Sequence, residues 1–223
     1  MAKKNKTEKR IERDIVKVIL FFLFLVIIFF AVSAYFKSLH TFTYNGLTFT
    51  EESVGPGSSA TVFHYYYYYQ TDKGKLIRYN LYLHKDPREN NVPIVANDSI
   101  IFSKKPLFLS LNTTRLNECE DGLLALGTLA LFLRDNQLDV RPGQMGLEDS
   151  KIYNQTHVNC ALNSTQNIIE VFRADNTEVI SEGKCVQIKV GPDCGILDAV
   201  EKLQVQMILD AKAESDEIIL RPN

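Results

Sequence analysis

The sequence lacks the short motifs that identify the commonest hydrolases and nucleotide-binding enzymes. It has no G-x-S-x-G segment, no H-E-x-x-H segment and no Walker loop. The four cysteines form no C-x-x-C pair, and the four histidines are scattered along the chain. We therefore predict no catalytic residue, no metal ligand and no cofactor from motifs alone.

Charge is absent from one long segment, "VILFFLFLVIIFFAVSAYF", at residues 18–36. Nineteen residues at a helical rise of 1.5 Å span roughly 28 Å, which matches the hydrocarbon core of a bilayer. The segment has no polar stripe, so it differs from a buried helix of a soluble domain. We expect a transmembrane signal anchor. The alternative is a signal peptide cut near Val32–Ala34, although the apolar regions of signal peptides are usually shorter.

The basic residues near this span indicate its orientation. Residues 1–17 hold seven Lys and Arg against three Asp and Glu, and only Lys37 closely follows the span. The positive-inside rule then places residues 1–17 in the cytoplasm as a basic tail and the rest outside the cell membrane. We predict one extracytoplasmic domain at residues 37–211, with a possible sub-boundary near 93–97, and a flexible tail at 212–223.

The predicted outer part has no excess of positive charge. It keeps 18 of the 25 basic residues but 24 of the 27 acidic ones. A nucleic-acid surface needs a basic patch, so a nucleic-acid partner is not expected.

All four cysteines, Cys119, Cys160, Cys185 and Cys194, lie in this outer part. An even number in an oxidising compartment predicts two disulfides. Of the three connectivities we favour Cys185 with Cys194 and Cys119 with Cys160, because the first pair brackets one strand and the start of the next helix. A metal site is the alternative.

Glycosylation sequons agree with the predicted topology. Four lie in the outer part, at Asn97, Asn112, Asn154 and Asn163. Each predicts an exposed loop that can carry a glycan.

Apolar residues recur every second position in the first segments of the outer part and about every 3.6 positions in two later ones, with further strand segments between them. This order of strand and helix patterns predicts an α+β domain with a mainly antiparallel sheet and two amphipathic helices. Asn45 and Gly46 between alternating residues indicate a hairpin. The two predicted helices lie in "NECEDGLLALGTLALFLRDNQ" and "GPDCGILDAVEKLQVQMILDAK", where apolar residues recur with the helical period. "NIIEVF" and "TEVIS" flank "RADN" and suggest a further hairpin.

Five consecutive tyrosines occur in "FHYYYYYQ", before a loop and the alternating segment "LIRYNLYLHK". A three-residue loop that ends at Gly74 predicts a hairpin in which Tyr69 pairs with Ile77, Tyr67 with Tyr79, Tyr65 with Leu81 and Phe63 with Leu83. One face is then wholly apolar or aromatic, with Tyr65, Tyr67 and Tyr69 in the core.

The opposite face of this hairpin is the predicted binding surface. It would carry Tyr66, Tyr68 and Tyr82 with His64, His84 and Arg78. Aromatic rings with polar tips suit protein interfaces and glycans. The alternative is that another strand or helix covers this face, so that these tyrosines are also core.

A hydrolase with an unfamiliar site is the alternative function. His84 is followed by Asp86, Arg88 and Glu89 in "HKDPRE". These residue types can perform acid–base chemistry. However, Asp-Pro-Arg after a strand is also an ordinary way to begin a turn.

Two segments, "YNLYLHKDPREN" and "GKCVQIKVGPDCGILDAVEK", resemble archaeal membrane proteins that cross the membrane once. Those proteins have a short basic cytoplasmic tail, one anchor helix and a cysteine-containing outer domain. The resemblance implies a source and no activity.

The leading functional hypothesis is a membrane-tethered, non-enzymatic binding or accessory protein of the cell envelope. Its expected partner is an envelope protein or glycan, and residues 18–36 connect it to the membrane. The span lacks small-xxx-small spacing, which argues against close helix dimerisation there.

Overall fold

The computed structural model describes residues 2–55, 60–70, 74–102, 106–112, 116–163 and 165–220. Helix α1, Ala2–Leu39, begins the fold. Within it, Ile15–Phe36 is long and apolar enough to cross a membrane, with a mean hydropathy of 3.2 and no burial inside the protein. The predicted span, 18–36, lies within this segment.

The first sheet is antiparallel and contains four strands in chain order. They are β1 (Thr41–Tyr44), β2 (Leu47–Ser53), β3 (Thr61–Gln70) and β4 (Leu76–Leu83). Asn45 and Gly46 join β1 to β2 with φ of 48° and 80°. Positive φ at both positions is typical of a type I′ turn, which confirms the predicted hairpin.

The tyrosine hairpin has the predicted register. Its pairs include Phe63 with Leu83, Tyr65 with Leu81, Tyr67 with Tyr79 and Tyr69 with Ile77. Gly74 has φ of 76°, as expected for a residue that closes such a loop. Residues 71–73 of the loop lie outside the described residues.

The second sheet has seven strands and is mostly parallel. The strands are β5 (Ile94–Ala96), β6 (Leu107–Leu111), β7 (Val140–Gln144), β8 (Thr156–His157), β9 (Asn167–Arg173), β10 (Glu178–Glu182) and β11 (Cys185–Val190). Their order is β5-β10-β11-β9-β6-β7-β8, and only the β10–β11 pair is antiparallel. Residues near the predicted sub-boundary at 93–97 thus contribute β5.

The hairpin predicted across "RADN" is wrong. β11 lies between β9 and β10, pairing in parallel with β9 and antiparallel with β10. The hairpin is formed instead through Gly183, whose φ of 60° suits a tight turn. β9 is central, and Asn167–Val171 is buried at every position, a pattern typical of a strand inside a parallel sheet.

Both predicted amphipathic helices are present, so the α+β class is confirmed. They are α2 (Gly122–Asp135) and α4 (Ile196–Leu220), and a short helix α3 (Leu147–Ile152) lies between them in sequence. Helix α4 continues through the predicted tail at 212–223 as far as Leu220, and residues 221–223 lie outside the described residues.

Helices α2 and α4 pack together between the two sheets. Helix α4 contacts β10 and β11 of the second sheet, while its Lys202 donates a hydrogen bond to the Tyr44 hydroxyl of the first. Phe132 of α2 packs edge-on against Tyr79 of β4. One core cluster therefore joins both sheets, with buried Phe49, Leu129 and Leu203 among its members.

All four cysteines form disulfides, but the favoured pairing is wrong. Cys119 is bonded to Cys194, and Cys160 to Cys185, with Cα–Cα distances of 5.3 and 5.7 Å. Strand β11 separates Cys185 from Cys194, and an extended strand of this length holds its ends roughly 17 Å apart, beyond the reach of a disulfide. Each cysteine therefore bonds to one from a different element.

Candidate functional site

The tyrosine hairpin presents a different set of side chains on each face. Alternation along β3 points Tyr66 and Tyr68 away from the helices, while Tyr65, Tyr67 and Tyr69 point toward them. We call the surface formed by Tyr66, Tyr68 and Tyr82 the outer tyrosine face.

The outer tyrosine face is open to solvent. Tyr66, Tyr68 and Tyr82 are 51%, 57% and 48% exposed. The alternative, that another element covers these rings, is therefore not the arrangement of the described chain. A cluster of exposed aromatic rings is more informative than single exposed apolar residues, because such clusters mark interaction sites.

Neighbouring polar side chains order these rings. The Arg78 guanidinium lies 4.1 Å from the centre of the Tyr66 ring. His64 stacks on Tyr82 at 4.6 Å between ring centres, and its Nδ1 and Nε2 lie 2.7 Å from Glu52 and 3.1 Å from Asn80. These contacts restrict the rings of Tyr66 and Tyr82 before any partner binds, which lowers the entropic cost of binding.

His84 is in contact with helix α4. Strand β4 ends at Leu83, and Glu201 of α4 then accepts hydrogen bonds from the His84 backbone N–H at 2.7 Å and the Lys85 backbone N–H at 3.2 Å. The same carboxylate lies 2.9 Å from His84 Nδ1. His64 and His84 therefore have different carboxylate partners, Glu52 and Glu201.

The remaining residues of "HKDPRE" connect structural elements. Lys85 forms an ion pair with Asp198 of α4 at 2.5 Å. Arg88 contacts the Asp86 carboxylate, which holds the pKa of that carboxyl below its ordinary value, and its guanidinium stacks on the Phe42 ring. Glu89 is exposed. Three of the four suggested hydrolase side chains, His84, Asp86 and Arg88, are thus engaged in contacts that fix this turn against β1 and α4.

Glu201 is the residue of this region that the sequence patterns missed. It is only 3% exposed, and burial raises the pKa of its carboxyl while hydrogen bonds from His84 and Lys85 oppose that rise. One signal could have revealed it. Glu201 lies on the apolar stripe of α4 between Val200 and Leu203, where a charged side chain needs a specific partner.

The inner side of the hairpin borders a groove with a volume of about 470 Å³. This volume falls within the range of small-molecule sites. The lining comes from β3, the segment before β6, the end of α2 and α4: Tyr65, Tyr67, Tyr68, Tyr69, Ile100, Ile101, Phe102, Phe132, Asn136, Leu138, Met207, Ile208, Ala211 and Lys212.

Most polar groups of this groove already have protein partners. The Tyr67 hydroxyl donates a hydrogen bond to Asn136 Oδ1, and the Tyr69 hydroxyl donates to the Asp135 carbonyl. Lys212 Nζ donates to the Gly46 carbonyl at 3.0 Å. The two tyrosine bonds connect the free end of the hairpin to the end of α2, and the Lys212 bond connects α4 to the β1–β2 turn. Tyr67 and Tyr69, predicted as core residues, therefore anchor the hairpin at the side of the groove.

Burial on this side changes the acidity of the phenols. It raises the pKa of Tyr65 and Tyr67, and it raises the pKa of Tyr79 to about 12 with a further contribution from the Asp135 charge. These hydroxyls stay neutral at any physiological pH.

The described residues contain one cluster with metal-ligating side chains and all four sequon asparagines of the outer part. Cys160, Glu170 and Cys185 lie close enough to hold an ion, but the two sulfurs are bonded to each other and cannot act as thiolate ligands. Of the sequon residues, Asn97 and Asn154 are exposed, whereas Asn112 and Asn163 are half-buried. Glycosylation at all four stays a prediction.

Comparison of the chain with models of protein families, with curated proteins and with solved structures gives no match.

We predict that Glu201→Ala lowers the free energy of unfolding by about 2 to 4 kcal/mol, because two backbone N–H groups lose their acceptor. Glu201→Gln keeps an acceptor and should cost less. Denaturant unfolding of the full-length protein in detergent micelles measures both. Glu214→Ala, at an exposed position of the same helix, is the matched control. Equal stability of the Glu201→Ala and Glu214→Ala variants would contradict the role of Glu201.

We also predict a loss of stability above about pH 10. Tyr67 and Tyr79 have folded-state pKa values above the ordinary 10.0, so the unfolded chain releases their protons first and is favoured as pH rises. Circular dichroism at stepwise increasing pH measures the midpoint of unfolding. Tyr79→Phe removes one ionisable hydroxyl and should move the midpoint to higher pH. An unchanged midpoint would show that this phenol does not drive the transition.

Proposed function

We propose that the protein is a membrane-tethered binding module of the cell envelope, with its domain on the outer side of the membrane. The single observation that carries this proposal is the outer tyrosine face, three half-exposed rings placed side by side on one hairpin. Exposure of this much aromatic surface is costly in water and suits a surface that a partner covers.

The membrane part of the proposal rests on α1 and on the disulfides. The segment Ile15–Phe36 suits a signal anchor with the basic tail, residues 1–17, in the cytoplasm. Two disulfides favour an oxidising compartment for the domain. The resemblance to archaeal single-pass proteins implies the same arrangement.

The partner we propose is a protein or glycan of the envelope. Tyrosine rings offer large apolar contact area with hydroxyls at the rim, and they lose little side-chain entropy when bound. Arg78 adds an exposed charged group beside the rings, which suits hydroxyl-rich or mixed surfaces better than a purely apolar ligand.

The anchored topology predicts a protease-protection result. In right-side-out membrane vesicles, an epitope after Asn223 should be digested, whereas an epitope before residue 2 should be protected and remain on a membrane-bound fragment. Immunoblotting with and without detergent reads both epitopes. A protected C-terminal epitope would reverse the topology, and a mature chain without residues 1–36 would indicate cleavage.

We predict that the Tyr66→Ala and Tyr68→Ala double variant binds envelope preparations at least about tenfold more weakly, since exposed aromatic anchors contribute the largest share of interface energy. The measurement is co-sedimentation of the full-length protein, in micelles, with purified envelopes of the source cell. Tyr153→Ala, 54% exposed but outside the hairpin, is the matched control.

Treatment of the envelopes separates the two partner classes. Protease digestion should abolish binding if the partner is a protein, and periodate oxidation should abolish it if the partner is a glycan. If the double variant binds as tightly as the Tyr153→Ala control, the outer tyrosine face is not the binding site.

A further inference from the structure

The two disulfides lie in opposite electrostatic surroundings. Beside Cys119–Cys194, Arg173 Nη1 lies 3.1 Å from Cys119 Sγ and 3.3 Å from Cys194 Sγ. The same nitrogen donates to the Gly191 carbonyl at 2.7 Å, which holds the guanidinium in place. Within the described chain, no carboxylate forms an ion pair with Arg173. Its positive charge is therefore directed at the sulfurs.

The positions of these cysteines add to the positive field. Cys119 precedes α2 by one turn, and its carbonyl accepts from the first helical N–H, that of Gly122, at 3.0 Å. Cys194 lies two residues before α4, the 25-residue helix. Helix N-termini carry partial positive charge and stabilise a nearby thiolate. Both sulfurs of this bond therefore lie next to such an end as well as next to Arg173.

The charged side chain beside Cys160–Cys185 is a carboxylate, that of Glu170. Glu170 is 2% exposed, and one of its oxygens lies within 4.8 Å of both sulfurs. Its oxygens accept hydrogen bonds from the Cys160 backbone N–H at 2.6 Å and from Gln187 at 2.8 Å. A buried negative charge opposes the formation of a thiolate beside it.

We propose that Cys119–Cys194 is a site of thiol–disulfide exchange with a dithiol, while Cys160–Cys185 is a structural bond. This site shares no residue with the outer tyrosine face. Exchange depends on a leaving thiolate. Arg173 lies near both sulfurs, and the leaving group is Cys119, because it is buried and its sulfur is the nearer of the two to Arg173 Nη1.

The reaction begins at the more accessible sulfur. Cys119 is 5% exposed, whereas Cys194 is half-buried in a loop with exposed Pro192 and Asp193. One thiolate of the dithiol attacks Cys194 Sγ, the bond to Cys119 breaks, and Cys119 leaves as a thiolate. The second thiol then attacks the mixed disulfide and releases Cys194. The dithiol is oxidised to a disulfide, both protein sulfurs are reduced, and the two protons pass to them.

The first test uses the full-length protein in detergent micelles with dithiothreitol as the dithiol. Samples are alkylated at intervals, and mass spectrometry follows each cysteine separately. We expect Cys119 and Cys194 to become alkylated at least tenfold faster than Cys160 and Cys185. With glutathione instead, the trapped adduct should lie on Cys194. Equal rates, faster opening of Cys160–Cys185, or an adduct mainly on Cys119 would overturn the proposal.

Substitution of Arg173 separates an electrostatic role from a structural one. Arg173→Gln should slow the reduction of Cys119–Cys194 roughly tenfold if the guanidinium stabilises the leaving thiolate. A purely structural role predicts the opposite, since a loosened loop would expose the bond. Arg173→Lys keeps the charge and should retain most of the rate.

Glu170→Gln is the matched variant at the other bond. Removal of its charge should make Cys160–Cys185 easier to reduce and leave Cys119–Cys194 unchanged. If Arg173→Gln leaves the reduction rate of Cys119–Cys194 unchanged or increases it, Arg173 does not stabilise the leaving thiolate and the proposal is wrong. The comparison of the two bonds in the unsubstituted protein decides the proposal even when a variant does not fold.

Discussion

Helix α4 packs against two sheets at once, and the rest of the fold depends on this double contact. Its buried side chains, Ile196, Val200 and Leu203 among them, belong to a core shared with β-strands of both sheets. Each such side chain contributes about 1.5 to 3 kcal/mol through burial. A helix with sheets on two sides has little solvent-facing surface, so its charged residues need specific partners. Glu201 meets this requirement with His84 and Lys85, and Lys202 with Tyr44.

The same helix layer explains why five tyrosines can follow one another. Strand β2 pairs with β3 only at Thr61–His64, so beyond this point β3 is paired with β4 alone. A two-stranded ribbon is barely stable in water by itself. The hydroxyls of Tyr67 and Tyr69 bond to the end of α2 and hold the ribbon in place. Tyr66 and Tyr68, at the alternate positions, point away from α2 and remain exposed at the surface.

Local patterns predicted the parts of the fold that local chemistry decides. The Asn45–Gly46 turn, the tyrosine register and both long helices follow from turn chemistry and from periods of two or 3.6 residues. The outer tyrosine face followed from the register. Parallel pairing is different, because the strands that meet are distant in sequence and nothing within "NIIEVF" specifies β11 as its neighbour. The disulfide error has the same origin, since cysteine partners depend on which strands and helices lie side by side.

Glu201 and the groove were missed for a related reason. An isolated glutamate in a helix is ordinary, and its burial depends on the end of β4, more than one hundred residues earlier in the chain. The groove is bounded by four segments, none of which carries a sequence motif for a binding site. Cavities are properties of packing between elements, so periodicity within one element carries no information about them.

The two disulfides differ in mechanical role as well as in charge. Cys119–Cys194 spans 75 residues and Cys160–Cys185 spans 25, so on chain entropy the first bond stabilises the fold by about 1 kcal/mol more. The bond that constrains the chain more is therefore the one beside Arg173. It joins the starts of α2 and α4, the two helices between the sheets, whose further contacts include the bond from Gln204 to the Thr128 carbonyl. Opening it would release the helix starts while those side-chain contacts still hold the layer together. The bond proposed to be the more reducible one thus lies at the helix starts. Its reduction would change the constraint on α2 and α4 and leave the strand pairing of the sheet in place.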